Sequence, residues 1–247
     1  MDATEIPYKF LANAASPQRG NATAAVTAEL RRAIVTLELK PGEILDKGVI
    51  CERMGVSRFP VSEALARLQA EGLVEIMPQR GSMVSRVRIG DVVEYMLIRK
   101  ALEGEAIRAL VAKKPPGIVE ELERNLAEQL KEANKGDRDT FHQFDLEFHE
   151  ILFEAMRFDR IRAVIDSARA NLDRARHLIL DPRRLSHTHA EHKAIVDGIA
   201  AGDADRAAAA MRQHIDKVTA ELLVFARSHP ELFADSDRLA EDLPLFG

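Results

Sequence analysis

The chain of 247 residues has 46% hydrophobic residues, a formal net charge of −5 and a single cysteine, Cys51. Its length favours two domains that can each bury a core, and one cysteine excludes an intrachain disulfide and fits a reducing compartment. No apolar run is long enough to span a membrane, and the N-terminus lacks the apolar core of a signal peptide. We therefore expect a cytoplasmic protein with no membrane partner.

The charge is distributed unevenly along the chain. Residues 22–88 contain ten Lys and Arg against eight Asp and Glu, so this part carries +2 and the remainder carries −7. A basic module joined to an acidic one fits a DNA-binding domain that is coupled to a domain with another task.

The N-terminal elements begin with a stretch rich in Pro, Ser and Gly over 1–21, which we expect to be a flexible arm. A helix is predicted from Thr23 onward, with apolar residues at helical spacing until Pro41-Gly42 ends it. Asp46 suits the N-cap of a second, short helix that runs to Met54.

The pattern of helix, tight turn and helix occurs between residues 54 and 73. Gly55 suits the end of the first helix, because glycine takes the left-handed backbone conformation without a Cβ clash. Ser57 suits the N-cap of the next helix, where its hydroxyl can accept a backbone N–H, and Pro60 is tolerated in the first turn. This order is the signature of a helix-turn-helix, and two packed helices without a partner are the alternative.

The second helix of the motif is predicted to be a recognition helix. Its apolar residues recur at helical spacing and form an inner face. Arg58, Phe59 and Ser62 lie in its first turns, where such a helix meets base edges and phosphates.

Two short strands are predicted after this helix, at 73–77 and 82–87, because the apolar period changes there. They indicate a β-hairpin wing with Arg80 at its tip, able to reach a phosphate or the minor groove. A lone arginine in a turn is usually only solvated, but the preceding helix-turn-helix favours contact with DNA.

Beyond residue 89 the pattern is helical throughout, with short connections marked by Pro and Gly. Helices are predicted at 91–112, 116–134, 137–156, 159–180, 185–201 and 203–228. The predicted fold class is mainly α: an N-terminal winged helix-turn-helix with a small β-hairpin wing, followed by a C-terminal all-α antiparallel helical bundle. The expected domains are an arm (1–21), a DNA-binding domain (22–88), an all-α domain (89–229) and a loose tail (230–247).

Three histidines and one aspartate fall on the inner faces of the predicted bundle helices. Asp145 and His149 lie one turn apart within an apolar face, and His192 and His214 lie among apolar residues of two later helices. Each histidine alone is more often a core residue, but together they match a divalent transition metal such as Zn, Ni, Mn or Fe. His189 is the substitute ligand one turn before His192. The remaining histidines are expected at the surface: His142, His177, His187 and His229.

Arg99 is a second charged residue on an apolar helix face, with Glu103 one turn further on. One interpretation is an internal ion pair between them. The other is a guanidinium that grips the carboxylate of a ligand near the metal. Both can hold, with Glu103 orienting Arg99.

Several motifs together identify a family. PGEILD at 41–46, GVSRFPVSEAL at 55–65 and QRG at 79–81 resemble the winged helix of GntR-superfamily transcription regulators. Arg99 with Glu103, DLEFH at 145–149, EHKAI at 191–195 and MRQHI at 211–215 resemble the FCD effector domain of the FadR-like subfamily. The resemblance covers roughly residues 23–228, with both halves in the expected order.

The resemblance implies a homodimeric regulator whose bundle binds a small organic acid beside the metal. The implied ligands of the metal are Asp145, His149, His192 and His214. The predicted effector-binding residues are Arg99 and Glu103, and the predicted DNA-binding residues are Ser57, Arg58, Phe59, Ser62, Arg80 and Gly81. The chain departs from the family where an arginine is common (Ser62), where a charged residue is common (Gly48) and where a threonine is usual (Phe59). These departures affect the expected operator and leave the expected fold unchanged.

The predicted function is that of a DNA-binding transcription regulator, expected to act as a repressor on an inverted-repeat operator and to carry no enzymatic activity. A small carboxylic acid bound next to the metal would control the affinity for the operator. One alternative is a metal-dependent enzyme at the Asp/His site, but no inward carboxylate besides Glu103 offers itself as a general base. The other alternative is a DNA-binding protein with a purely structural metal.

Overall fold

The computed structural model of this protein describes residues 8, 10–11, 21–158, 160–161, 173–175, 177 and 182–236. These residues fall into two compact units, the first up to Arg88 together with His229–Ser236 and the second over Ile89–Ser228. The described structure is mainly helical with one small sheet, which confirms the predicted fold class.

The first unit has the winged-helix arrangement. Its elements are α1 (Ala22–Val35), β1 (Ile44–Leu45), α2 (Lys47–Met54), α3 (Arg58–Ala70), β2 (Val74–Met77) and β3 (Gly81–Val84). Helix α3 packs on α1 and α2. Its buried residues recur at helical spacing and are all apolar, so they form the inner face of the helix. The core of this unit includes Leu30, Ile34, Leu65 and Leu68.

The turn between α2 and α3 follows the local sequence signals. The Asp46 carboxylate accepts the backbone N–H groups of Gly48 and Val49 at 2.8 and 3.1 Å, which caps α2. Gly55 ends this helix with φ of 62°, the left-handed conformation predicted for it. Ser57 occupies the N-cap position of α3, but its side chain makes no capping hydrogen bond among the described residues, so the predicted role of its hydroxyl is wrong.

The wing is a three-stranded antiparallel sheet in the order β1-β3-β2. The predicted hairpin is confirmed, with Val74 opposite Val84 and Met77 opposite Gly81. Strand β1 pairs with the outer edge of β3 and was not predicted, because two residues are too short to show an alternating pattern.

Parts of both terminal segments, 1–21 and 230–247, are anchored on the first unit, in contrast to the loose arm and tail that we expected. The Tyr8 hydroxyl donates to the Ile44 carbonyl at 3.2 Å and accepts from the Asp46 N–H at 2.9 Å, and Leu11 is buried. At the other end, a 3₁₀ turn (Pro230–Leu232) leads to the buried Phe233. Phe233 forms a parallel bridge with Val87, so backbone pairing holds this segment.

The second unit is a bundle of long helices: α4 (Ile89–Lys113), α5 (Ile118–Lys135), α6 (Arg138–Glu154), α7 (Pro182–Ala200) and α8 (Ala204–Ser228). Helix α8 packs on α4 and α7, and α5 packs on α6 and α7. The predicted helix over 159–180 lies mostly outside the described residues, and 160–161, 173–175 and 177 within it are helical. Within the described part of the chain, no helix combines the length and apolar character needed to cross a bilayer.

The close approach of α7 and α8 depends on Gly198. A Cβ built at this position lies 2.8 Å from the Cα of Ala207, which is rigid helix backbone. We expect Gly198→Ala to lower the free energy of unfolding by about 1–3 kcal/mol, because the two helices must move apart. Gly104→Ala is the matched control: its Cβ meets no described atom within 4 Å, and alanine favours a helix by up to about 1 kcal/mol. Urea denaturation measures the free energy of unfolding of both variants. Equal values for the two would contradict the expected clash.

Candidate functional site

The predicted DNA-binding residues are exposed on the first unit. They lie in the first two turns of α3, in the residue before it and at the wing: Ser57, Arg58, Phe59, Ser62, Arg80 and Gly81. Phe59 is 72% exposed, so its ring is accessible to a DNA partner.

The tip of the wing is a tight turn between β2 and β3. Gln79 and Gly81 both have positive φ, of 62° and 96°, and the Arg80 N–H donates to the Met77 carbonyl at 3.2 Å. This turn presents the exposed Arg80 at the tip, as the sequence predicted. The geometry suits contact with a phosphate or a groove edge.

The structure brings together, inside the bundle, all four residues that we predicted as metal ligands. Asp145 and His149 come from α6, His192 from α7 and His214 from α8, and all four are buried. Each offers one ligand atom such that these atoms lie within 4.8 Å of one another, and His192 Nε2 is 3.6 Å from Asp145 Oδ1. This metal-site cluster has the imidazole and carboxylate donors that divalent transition metals prefer.

The first of the three imidazoles, His149, is held by a buried ion pair on α4. Its Nδ1 lies 2.6 Å from Glu103 Oε2, and the other Glu103 oxygen accepts from Arg99 Nε at 2.5 Å. The predicted internal ion pair is therefore present. Burial raises the pKa of the Glu103 carboxyl, but Arg99 and His149 outweigh this effect and lower it to about 2.

His149 is neutral in this environment, because burial lowers its pKa to about 4. With Nδ1 bound to a carboxylate, its Nε2 is the nitrogen that carries the lone pair. That Nε2 is buried and finds no hydrogen-bond partner among the described residues. A buried ring nitrogen without a hydrogen bond is costly, and a metal ion would satisfy it.

The other two imidazoles are held in the same way by different helices. His214 Nδ1 lies 2.8 Å from Glu191 Oε2 on α7, and Arg184 donates two hydrogen bonds of 3.0 Å to the same carboxylate. His192 Nδ1 lies 2.9 Å from the amide oxygen of Gln129 on α5.

An outer acceptor on Nδ1 is the arrangement that orients metal-binding histidines, because it fixes the tautomer and the ring. All three histidines of the metal-site cluster have one. The donor set and its outer partners therefore fit a metal ion.

Two other histidines are not at the surface as predicted: His142 is buried and His177 is half-buried. His142 has its Nε2 3.6 Å from Asp173 Oδ1 and its ring 4.6 Å from the ring of His177. Its position three residues before Asp145 is helical spacing, a signal in the sequence that places it on the same side of α6. His189, the substitute ligand, is not a member of the metal-site cluster.

Gln129 and Glu191 are the site residues that the sequence analysis missed. Glu191 directly precedes His192, and Gln129 lies on the buried face of α5, which also carries Asn125 and Glu132. Two buried amides on one helix face are a detectable signal, because such groups are rarely buried without partners.

Comparison with known proteins assigns both units to described families. Residues 22–84 match the gntR family of bacterial regulatory proteins, and residues 94–217 match the FCD domain. An HTH-type transcriptional regulator in an unstable DNA locus of Streptomyces ambofaciens is 36% identical over 207 residues, which cover 83% of this chain and 87% of that protein. The HTH-type transcriptional repressor RspR of Escherichia coli is 29% identical over 210 residues, covering 83% and 91%.

Solved structures of GntR regulators share the fold. A GntR transcriptional regulator from Rhodococcus sp. RHA1 has a TM-score of 0.71 at 23% identity, over 82% of this chain and 97% of that one. McbR/YncC from E. coli has a TM-score of 0.68 at 22% identity, over 81% and 96%. With an exposed recognition helix and wing, and with matches along most of its length to transcription regulators, the chain belongs to the GntR family, carries an FCD domain and is a DNA-binding transcription regulator.

Proposed function

We propose that this regulator is a homodimeric repressor that binds an inverted-repeat operator and is controlled by a small carboxylic acid bound next to a divalent metal. The observation that carries the proposal is the buried cluster of Asp145, His149, His192 and His214, in which every histidine is oriented by an outer acceptor. The name of the E. coli relative RspR, a transcriptional repressor, supports the assigned direction of regulation.

The metal would be held by the four residues of the metal-site cluster. A divalent ion held there would act as a Lewis acid toward an oxygen of the effector. An octahedral ion such as nickel, manganese or iron keeps open positions beside four protein ligands, whereas tetrahedral zinc keeps none. We therefore favour an octahedral ion.

The carboxylate of the effector would bind Arg99, which is also buried inside the bundle. The guanidinium of Arg99 is buried, and it uses Nε for the bond to Glu103. A guanidinium has five N–H donors and binds carboxylates through two parallel hydrogen bonds. A small hydroxy acid or sugar acid fits this chemistry, because its carboxylate and hydroxyl match a cation and a metal.

Control of transcription requires that the effector binds the DNA-competent and DNA-released states with different affinity. The test uses full-length protein on a labelled operator that has been selected from random DNA. Small hydroxy acids and sugar acids are added, each beside its primary amide, with and without a chelator. We expect one class of acid to weaken operator binding at least tenfold, with no effect of the amide or after chelation. An acid that acts equally well without metal would mean that the metal is only structural, and a panel without any effect would contradict the proposed effector class.

The recognition helix supplies a separate prediction for DNA binding. Arg58 is exposed at the start of α3, where helix residues meet base edges. We expect Arg58→Ala to weaken operator binding by about 1–3 kcal/mol if the arginine is bidentate to a guanine. Arg67→Ala, also exposed but in the last turn of α3, is the matched control and should cost less. Gel-shift titration at fixed salt measures the operator affinity of both variants. Unchanged affinity of Arg58→Ala would show that Arg58 does not contribute to operator binding.

A further inference from the structure

We propose that Asn125 and Gln129 are positioning residues: they form a directional hydrogen-bond relay that fixes the tautomer of His192, so that its Nε2 lone pair faces the metal-site cluster. This inference rests on the proposed function, because the orientation matters only if a metal binds there. Both residues lie on α5, a helix that carries none of the four proposed ligands.

The two amides lie on the buried face of α5. Asn125 is 5% exposed and Gln129 is 0% exposed, on a face that also buries Ile118, Leu122, Leu126 and Glu132. A buried amide without hydrogen bonds is costly, so groups at these positions must be satisfied by specific partners. Their spacing of four residues places one amide directly above the other along the helix.

The direction of the relay is set at its far end by the backbone of α6. Asn125 Nδ2 lies 3.1 Å from the carbonyl oxygen of Phe144 and 3.3 Å from Glu147 Oε2. Both partners can only accept hydrogen bonds, because one is a backbone carbonyl and the other a carboxylate. Asn125 must therefore present its NH₂ group to α6, and its oxygen faces the other way.

The remaining orientations follow one after another. Gln129 Nε2 lies 2.6 Å from Asn125 Oδ1, so the NH₂ group of Gln129 is committed to Asn125. The Gln129 oxygen is then left for His192 Nδ1, at 2.9 Å. An amide oxygen only accepts, so His192 Nδ1 must carry the proton and Nε2 must carry the lone pair.

The relay also explains why an amide is used here. Glu103 and Glu191 orient the other two histidines through carboxylates, and Asp145 is a carboxylate within the metal-site cluster. A glutamate at position 129 would add a further buried negative charge and would place an oxygen against Asn125 Oδ1. A neutral glutamine gives the same orientation without that charge.

The first readout is the tautomer of His192 in metal-free, full-length protein with ¹⁵N-labelled histidine. The signal is assigned by its loss in His192→Asn. Long-range ¹H–¹⁵N correlation should show a protonated Nδ1 and an unprotonated Nε2. Gln129→Met removes the acceptor at similar size and should shift His192 toward the Nε2–H tautomer or a mixture. Leu126→Met, on the same face of α5, controls for repacking and should leave the spectrum of His192 unchanged.

The second readout is the affinity for Ni²⁺, measured by competition with a chromophoric chelator. Gln129→Met should lower it about 10- to 100-fold, as loss of an outer partner of a ligand does, and Leu126→Met should not. A wild-type His192 protonated at Nε2, or an unchanged tautomer or affinity in Gln129→Met, would overturn the relay. Because the wild-type spectrum alone tests the tautomer, the inference stays testable if the variant does not fold. If the tautomer is as expected but wild type binds no metal, the proposed metal site fails and the relay stands only as structure.

Discussion

His192→Ala is expected to lower the metal occupancy of this protein and the stabilisation that metal gives. His192 is fully buried in the metal-site cluster, and its removal leaves three protein ligands. A metal that binds only the native state stabilises the protein by about 2.7 kcal/mol when the free metal concentration is 100 times the dissociation constant. We therefore expect wild type to carry close to one ion per chain and to melt at a lower temperature after chelation, whereas the variant should carry less metal and respond less to the chelator.

The comparison with and without chelator is needed because His192 also packs in the core. Its ring stacks on Phe148 with 4.1 Å between centroids, so the alanine variant loses stability whether or not metal binds. Leu222→Ala is the control: it removes another buried side chain of the bundle, two turns beyond His214 on α8 and outside the metal-site cluster. It should be destabilised but keep the response to chelator. Elemental analysis that finds no metal in unchelated wild type, with equal responses of both variants, would rule the site out.

The four residues of the metal-site cluster were predictable because each carries its own local signal. A histidine or aspartate at helical spacing inside an apolar stripe must point into the bundle, and this applies separately to α6, α7 and α8. The caps at Asp46 and Gly55 were predictable for the same reason, since each depends on the residue and its immediate neighbours.

Which residue would orient each histidine was not predictable, because this depends on pairing between distant helices. Gln129 is 63 residues from His192 in the sequence, and Glu191 is 23 residues from His214. No periodicity in one helix indicates which residue of another helix it will meet. The same limit applies to β1, whose two residues become a strand only because β3 lies beside them.

Substitution of Arg99 at the proposed effector site is expected to have the second large effect, on effector binding. The buried ion pair of Arg99 with Glu103 determines which substitution is informative. Glu103 is 0% exposed and bonds both Arg99 and His149. Arg99→Ala would leave this carboxylate without its main cation, and removing one partner of a buried ion pair costs about 3–5 kcal/mol. A loss of effector response in that variant would therefore be confused with a loss of folding.

Arg99→Lys separates the two effects, because lysine keeps the positive charge beside Glu103 but lacks the planar fork that grips a carboxylate through two hydrogen bonds. We expect this variant to retain its fold, metal content and operator affinity. Its affinity for the active acid should fall by about 1.5–3 kcal/mol, the range for hydrogen bonds to charged groups, as measured by calorimetric titration. Arg108→Lys, on the same helix but in partly exposed ion pairs with Glu105 and Asp205, is the control and should bind the acid like wild type. If Arg99→Lys binds and responds like wild type, Arg99 serves only to neutralise Glu103, and the acid is held elsewhere in the bundle.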